Sequence, residues 1–253
     1  MRIRISLFLL VLAISSIELS AQDKYDKPIN KIGKDEAFKL VNDSPWAKSY
    51  QSNSTAVARQ QGQPGLAGGS NPRSINRDMG PPPVVTRLHS GEIYRKAVVR
   101  LQQFDVGYDK LSDEKKAEFD ASRKIFLECK VCTDYYVLTM TKTSYSKDGL
   151  VDEGIFEGMK LEDMKGNVTL VNDTGEEREL AHFTPAKGAG DSAIFYFKRA
   201  DANGKHLVTP ETKEFRLLFK TTFLDSKNRF AYLLPRFFDF RVSKIMVGDK
   251  VMF

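Results

Sequence analysis

The spacing of hydrophobic side chains changes along this chain, and each spacing predicts a different kind of element. Apolar residues are nearly continuous between positions 7 and 17, recur every three or four residues between 91 and 131, and alternate from 134 onward. Recurrence at three and four residues is typical of amphipathic helices, and alternation is typical of β-strands. The pattern therefore predicts a mainly β protein that carries a two-helix insertion.

Turn signals divide the alternating region into short segments. Gly166-Asn167 and Asn203-Gly204 are two of several such signals, and Gly-containing loops between alternating segments are typical of β-hairpins. About eight strands in about 120 residues favour an antiparallel β-sandwich-like domain or a small barrel. The segments expected to be strands are 84–88, 134–141, 154–162, 168–171, 179–183, 192–198, 214–222 and 237–247.

Two helices are expected in the insertion at 91–131. Tyr94 and Leu101 fall on one face of the first helix, and Phe126 belongs to an apolar stripe of the second. Ser112 precedes the second helix, and serine is favoured as a helix N-cap. We expect this helical pair to pack on an end or a face of the sheet.

Aromatic residues are concentrated in the β-rich region, where they allow two interpretations. They could line a ligand groove or a carbohydrate-stacking platform, but most occupy alternate strand positions, which favours packing in the core. The residues concerned are Phe195, Tyr196, Phe197, Phe215, Phe219, Phe223, Phe230, Tyr232, Phe237, Phe238 and Phe240.

The beginning of the chain has the form of a secretory signal peptide. Arg2 and Arg4 precede an apolar run of about ten residues, which ends shortly before the small residue Ala21. That run is too short for a membrane span, which needs about 20 apolar residues. We therefore expect 1–21 to be removed before Gln22, leaving an exported protein, periplasmic or extracellular, with no transmembrane segment.

A low-complexity stretch follows a short N-terminal segment. Gly, Pro, Ser, Gln and Asn occupy 21 of the 33 positions in 51–83, too polar a composition to form a core, so we expect a disordered linker. The linker separates a short helical segment, 22–50, from the β-rich domain at 84–253. Ser44 and Pro45 are compatible with the start of a second short helix in that segment.

The N-terminal segment contains two candidate partner-binding side chains, Phe38 and the only tryptophan, Trp46. A segment of this size has no core of its own, so both side chains are expected to dock on the main domain. The alternative is an exposed anchor for an unknown partner protein or envelope component, because tryptophan is favoured at the centres of protein interfaces.

The charge pattern argues against nucleic acid as a partner. The chain has 39 basic and 33 acidic residues, and removing Arg2, Arg4 and Glu18 with the leader leaves 37 and 32, a net charge of +5. Basic and acidic residues alternate along the chain instead of clustering on one element, as they do in most nucleic-acid-binding proteins. A solvated surface is the simpler interpretation.

Cys129 and Cys132 form the only compact reactive motif. In an exported chain a C-x-x-C pair can be a redox dithiol, half of a metal site or a structural disulfide. Thioredoxin-like dithiols lie at helix N-termini, where the dipole favours the thiolate, whereas this pair is expected at a helix C-terminus. We therefore expect a structural disulfide, with thiol–disulfide redox activity as the alternative.

Other kinds of site are not indicated by the sequence. The three histidines, His89, His182 and His206, are scattered and there is no second C-x-x-C, so no metal or cofactor is expected. Motifs for serine hydrolases, zinc hydrolases, phosphate-binding loops and dinucleotide-binding folds are also missing from the sequence. A catalytic residue is therefore not assigned.

One resemblance bears on the whole chain. The run Lys34-Asp35-Glu36-Ala37, followed by Ser44-Pro45-Trp46-Ala47 and then a low-complexity linker, resembles the opening of a group of uncharacterised exported bacterial proteins with a variable C-terminal part. That resemblance implies no known activity and transfers no functional residue. Together with the leader and the β-rich pattern, it leads us to expect an exported, non-enzymatic binding or assembly protein.

Overall fold

The computed structural model describes residues 25, 27–52, 82–142, 154–188, 190–225 and 230–253. The expected signal peptide, 1–21, and most of the expected linker, 53–81, lie outside these ranges. Both therefore stay predictions.

The fold is mainly β, as the alternating pattern predicted. Eight strands form one antiparallel sheet in the order β1-β2-β3-β6-β5-β4-β7-β8, and the sheet is nearly closed into a barrel. A separate two-stranded hairpin, β9-β10, lies close to the C-terminus. The strands are β1 Ala47–Tyr50, β2 Val84–Leu88, β3 Tyr135–Lys142, β4 Val168–Asn172, β5 Glu177–Thr184, β6 Ser192–Lys198, β7 Glu214–Phe219, β8 Phe237–Arg241, β9 Met246–Val247 and β10 Lys250–Val251.

Three of the strand predictions need correction. Residues 154–162 form turns that lead into a short helix, α4 (Leu161–Met164). The strand expected at 214–222 ends at Phe219, and a second short helix, α5 (Thr221–Leu224), follows. The strand expected at 237–247 ends at Arg241 and gives way to a 3₁₀ turn. In these regions apolar side chains are buried although the backbone does not form a strand. The alternating pattern alone does not distinguish this case from a buried strand.

The N-terminal segment completes the sheet. Its helix, α1 (Lys34–Asn42), is followed by β1, which pairs with β2 across the register Ala47↔Arg87 to Tyr50↔Val84. The second helix expected after Ser44 is therefore wrong. The hydroxyl of Ser44 accepts a hydrogen bond from the Trp46 backbone N–H at 3.1 Å, so it stabilises a tight turn into β1.

The helical insertion is confirmed between β2 and β3. It consists of α2 (Glu92–Asp105), which packs along α1, and α3 (Asp113–Glu128), which packs on α2. The Ser112 hydroxyl caps α3 by accepting from the Lys115 backbone N–H. No residue of α3 is buried, so this helix lies on the outside of the molecule.

The inward-facing side chains of the barrel are tightly packed aromatic and aliphatic groups. Most of the aromatic residues assigned to the core are there, but Tyr232 and Phe237 are 41% and 38% exposed. Trp46 has no exposed surface, and its indole N–H donates to the Met252 carbonyl at 3.3 Å. The largest fully buried side chains are Trp46, Tyr136, Phe156, Phe195, Phe197, Phe215, Phe219 and Phe240.

Candidate functional sites

The first candidate site lies where the barrel fails to close. β1 and β8 are the two ends of the sheet, and alternation along eight antiparallel strands makes them run in opposite directions. The rings of Tyr50 on β1 and Phe238 on β8 are 6.4 Å apart, so the two edges approach each other. No strand pairing joins them among the described residues, which leaves both edges available for hydrogen bonding.

A groove of about 590 Å³ runs along this gap, and we call it the seam groove. It is defined by residues of β1, β8 and the turns beside them: Asp43, Ser44, Pro45, Lys48, Ser49, Tyr50, Glu214, Pro235, Phe237, Phe238, Asp239, Arg241 and Lys244. Its walls combine aromatic side chains with charged ones. This mixture suits a ligand with both apolar and charged groups.

Three cations of the seam groove make no close ion pair. Lys48, Arg241 and Lys244 make no ion pair or side-chain hydrogen bond within the described part of the chain. Lys48 occupies an inward-facing position between Trp46 and Tyr50, and its partial burial lowers the pKa of its ammonium group, although the charges of Asp43 and Asp239 act on Lys48 and raise its pKa in part. Desolvation without a paired carboxylate is unfavourable for a cation, so an anionic ligand would be stabilised here.

The acidic residues of the groove neutralise these cations only in part. Glu214 and Asp239 both bind Arg216, whose guanidinium lies 2.5 Å from a Glu214 oxygen and 2.7 Å from an Asp239 oxygen. Arg216 also stacks over the ring of Phe237 at 4.8 Å. Asp43 is then the only carboxylate of the groove without a cation within ion-pair distance. The lining carries three cations and three carboxylates, and Arg216 adds one positive charge, so the excess is a single positive charge.

The second candidate site is the junction between α3 and β3. Cys129 ends α3 in the left-handed conformation, with φ of 43°, and its carbonyl accepts from the Cys132 N–H at 2.7 Å. This reversal brings the two Cα atoms to 5.3 Å, and the sulfurs form a disulfide. The expected position of the motif, at a helix C-terminus, is confirmed. Both cysteines are buried and pack with Val137.

Arg95 of α2 reaches across to this disulfide. Its Nη1 lies 3.8 Å from the sulfur of Cys132, and the same nitrogen donates to the carbonyls of His89 and Ser90 at 3.1 and 2.6 Å. Its Nε donates to the Leu127 carbonyl at 3.1 Å. These hydrogen bonds fix a buried guanidinium beside one sulfur only, since no contact of Arg95 with Cys129 is found.

A cavity of about 480 Å³ opens beside the other sulfur, and we call it the corner pocket. Its wall is formed by His89, Ile125, Phe126, Glu128, Cys129, Lys130 and Val131. The wall is mainly apolar, and Ile125 is 82% exposed. The corner pocket therefore offers an uncovered apolar surface at the position of Cys129.

His89 separates the corner pocket from Arg95. Its ring lies 5.2 Å from the ring of Phe126, edge to face, and 5.9 Å from that of Tyr94. Burial, and then the nearby Arg95 charge, lowers the pKa of His89 to about 4. The imidazole is therefore neutral at neutral pH and serves as a packing group with a polar edge.

The two side chains singled out in the N-terminal segment have different environments. Phe38 is 63% exposed on α1, so the expectation that it docks on the main domain is wrong, and its ring is accessible to a partner. Trp46 is fully buried, which corrects the alternative of an exposed tryptophan anchor: a ring inside the core presents no surface. The two residues do not form a joint site.

Sequence reasoning did not identify Lys48, Arg241, Lys244 or Arg95 as site residues. The only sequence feature that could have pointed to Lys48 is its spacing. It lies two residues after Trp46 and two before Tyr50, so in a strand it shares their inward face. The remaining cations become neighbours only through the closure of the sheet. In the described residues there is no cluster of potential metal ligands and no helix long and apolar enough to cross a membrane.

Comparison of the chain with protein-family models, with curated proteins and with solved structures gave no match. The candidate sites are therefore interpreted from their own geometry.

Proposed function

We propose that this chain is an exported binding or assembly protein, and that its seam groove binds an extended, acidic peptide segment of a partner protein. The observation that carries the proposal is the pair of unpaired strand edges facing each other beside three cations that make no close ion pair. Unpaired edges accept an added strand, and pockets along such an edge select its side chains.

Charge decides the class of peptide. Lys48, Arg241 and Lys244 favour carboxylate side chains on the ligand, while Tyr50 and Phe237 offer apolar contact between them. Lys48 and Tyr50 share one face of β1, and Phe237 and Arg241 share one face of β8. An extended peptide that carries acidic and apolar residues on the same face matches this arrangement. Export is supported by the basic and apolar beginning of the chain and by a disulfide, which is typical of oxidising compartments.

The proposal is tested with a labelled eight-residue peptide, two repeats of Glu-Ser-Val-Ser, which places Glu and Val on the same face of an extended strand. Its binding to the mature protein is measured by fluorescence anisotropy. We expect saturable binding that weakens with added salt, and no binding of the matching Lys-Ser-Val-Ser peptide. N-methylation of alternate backbone nitrogens of the probe should abolish binding, because it removes the donors that pair with a strand edge.

Matched variants locate the site. The triple variant Lys48→Gln, Arg241→Gln and Lys244→Gln should weaken probe binding by about 10-fold or more, the range of a few lost charge-assisted contacts. A control triple variant with the same change in net charge, Lys110→Gln, Lys115→Gln and Lys187→Gln, alters exposed lysines that do not line the groove and should bind as the parent. Equal weakening in both variants would contradict the seam groove as the site.

A further inference from the structure

We infer that the Cys129–Cys132 disulfide is a site of thiol–disulfide exchange, in which a partner's thiolate attacks Cys129 and Cys132 is the leaving group. Cys129 and Cys132 are almost equally buried, at 6% and 5% exposed, but the geometry of the α3–β3 junction gives their sulfurs unequal surroundings. Cys129 lines the corner pocket, whereas Cys132 lies at 3.8 Å from the Arg95 guanidinium. This activity is independent of the proposed peptide binding in the seam groove.

The exchange step balances without any further reactant. The partner's thiolate sulfur forms a bond to the Cys129 sulfur, the Cys129–Cys132 bond breaks, and its electron pair stays on the Cys132 sulfur as a thiolate. A second thiolate of the partner then attacks the partner's own sulfur in the mixed disulfide and releases the Cys129 thiolate. The chain ends as a dithiol and the partner as a disulfide, so this chain is the oxidant.

Arg95 favours the forward direction of this reaction. Its positive charge stabilises the Cys132 thiolate, and stabilisation of the reduced form makes a disulfide a stronger oxidant. The hydrogen bonds from Arg95 to backbone carbonyls hold the charge in place before the thiolate forms. This contribution is absent from the sequence-based argument against redox activity, which considered only the unfavourable end of the α3 dipole at Cys129.

The corner pocket defines the class of partner. Ile125, Phe126 and Val131 leave apolar surface uncovered around Cys129, so a cysteine pair flanked by apolar side chains would be favoured. Such cysteines are exposed in exported proteins that have not finished folding. Glu128 and Lys130 beside the pocket carry opposite charges, so the pocket has no strong preference for the sign of charge on the partner.

The test determines which of the two sulfurs is attacked by a thiol in the native mature protein. The oxidised protein is treated with glutathione, quenched with iodoacetamide, and mapped by peptide mass spectrometry. We expect glutathione on Cys129 and the alkyl group on Cys132. Attachment of glutathione mainly to Cys132, or no reaction unless the protein is unfolded with urea, would overturn the inference.

The positioning role of Arg95 is tested by the pH dependence of Cys132 alkylation in the Cys129→Ser variant. We expect a thiol pKa below the ordinary value of about 8.5, because a fixed cation favours the thiolate. Replacement of Arg95 by Gln should raise this pKa and slow glutathione attack on the native disulfide, and Arg95→Lys should restore both in part. A merely structural role of Arg95 would leave the alkylation profile unchanged in folded variants; circular dichroism identifies those that fold.

Discussion

Trp46 shows how a single side chain joins the N-terminal segment to the rest of the molecule. It precedes β1, has no exposed surface, contacts the Tyr25 ring at 5.0 Å, and donates to the Met252 carbonyl. Met252 is 206 positions away, so the indole joins the two ends of the described chain. Burial of so large an apolar group contributes several kcal/mol, about 3–5 in comparable truncations.

The close packing around Trp46 predicts that the stability of the protein is unusually sensitive to substitution at Gly91, the N-cap of α2. A Cβ added there would lie 2.5 Å from the indole Cδ1 and 3.0 Å from the Leu88 carbonyl oxygen. Gly91→Ala should therefore lower the free energy of unfolding by about 1–3 kcal/mol, the usual cost of overpacking a core. Urea denaturation followed by tryptophan fluorescence measures this loss.

Gly33 provides the matched control for that substitution. It is also a helix N-cap with negative φ and no capping side chain, but a Cβ there has no atom within 4 Å. Gly33→Ala therefore changes the cap in the same way without the clash. Equal losses of stability in the two variants would mean that the change of N-cap residue, and not the contact with Trp46, causes the loss at position 91.

At the scale of elements, α3 lies on the outside of the fold and buries no residue. It packs on α2, and its contacts include the Tyr108–Asp120 and Arg95–Leu127 hydrogen bonds, the edge-to-face contact of Phe126 with His89 and, just past its end, the disulfide. A disulfide that closes so short a loop removes about 2 kcal/mol of denatured-state entropy. The junction therefore fixes one end of α3 locally and leaves its outer face uncovered.

The attachment of α3 should depend on pH through His89. In the folded chain the imidazole has a pKa of about 4, and its ordinary value is 6.5. At pH values between 4 and 6.5 the unfolded chain binds more protons than the folded chain. The free energy of unfolding therefore decreases as the pH falls from 6.5 to 4. The full shift corresponds to at most about 3 kcal/mol at 1.36 kcal/mol per pKa unit.

Urea denaturation of the parent and of His89→Asn at several pH values measures this contribution. The difference between the two free energies of unfolding should be constant above pH 6.5 and change progressively below it, with the parent losing more stability than the variant. Carboxylates titrate in both proteins and cancel in the comparison. A difference that stays constant down to pH 4 would contradict the burial of a neutral imidazole at this junction.

At the scale of the whole molecule, the pairing of β1 with β2 changes what the expected linker connects. Residues 53–81 join two strands that are neighbours in the sheet, since Tyr50 lies opposite Val84. From the sequence alone, the linker was expected to separate the segment 22–50 from an independent domain at 84–253. In the folded protein the N-terminal segment supplies an edge strand and a fully buried tryptophan, so it should stay bound after cleavage.

Limited proteolysis tests this expectation. The low-complexity composition of 53–81 makes it the preferred site of the first cut. The two products should elute together in size-exclusion chromatography under native conditions and separate in urea. A protein that begins at residue 82 should be markedly less stable than the nicked pair, because it exposes the β2 edge and the space left by Trp46. Separation of the products without denaturant would contradict the role of β1.

The local pattern of the sequence was sufficient for the helical insertion and for most strands of the sheet, but not for β1, which it did not predict. The strand at 84–88, the strand at 192–198 and the helices α2 and α3 were predicted because alternation and helical spacing are properties of neighbouring residues. The same reasoning placed Cys129 at a helix end. It failed at 154–162, where apolar residues are buried in turns and the neighbouring sequence contains no sign of what covers them.

The tertiary structure alone decided the sites and the position of the N-terminal segment. The closure of the sheet brings Lys48 close to Arg241, although they are 193 positions apart in the chain. The contact of Arg95 with Cys132, and not with Cys129, depends on how α2 and the α3–β3 junction pack. Such long-range contacts depend on how the elements pack around a shared core. The local sequence pattern therefore predicts the elements, but it does not predict which charged side chains become neighbours.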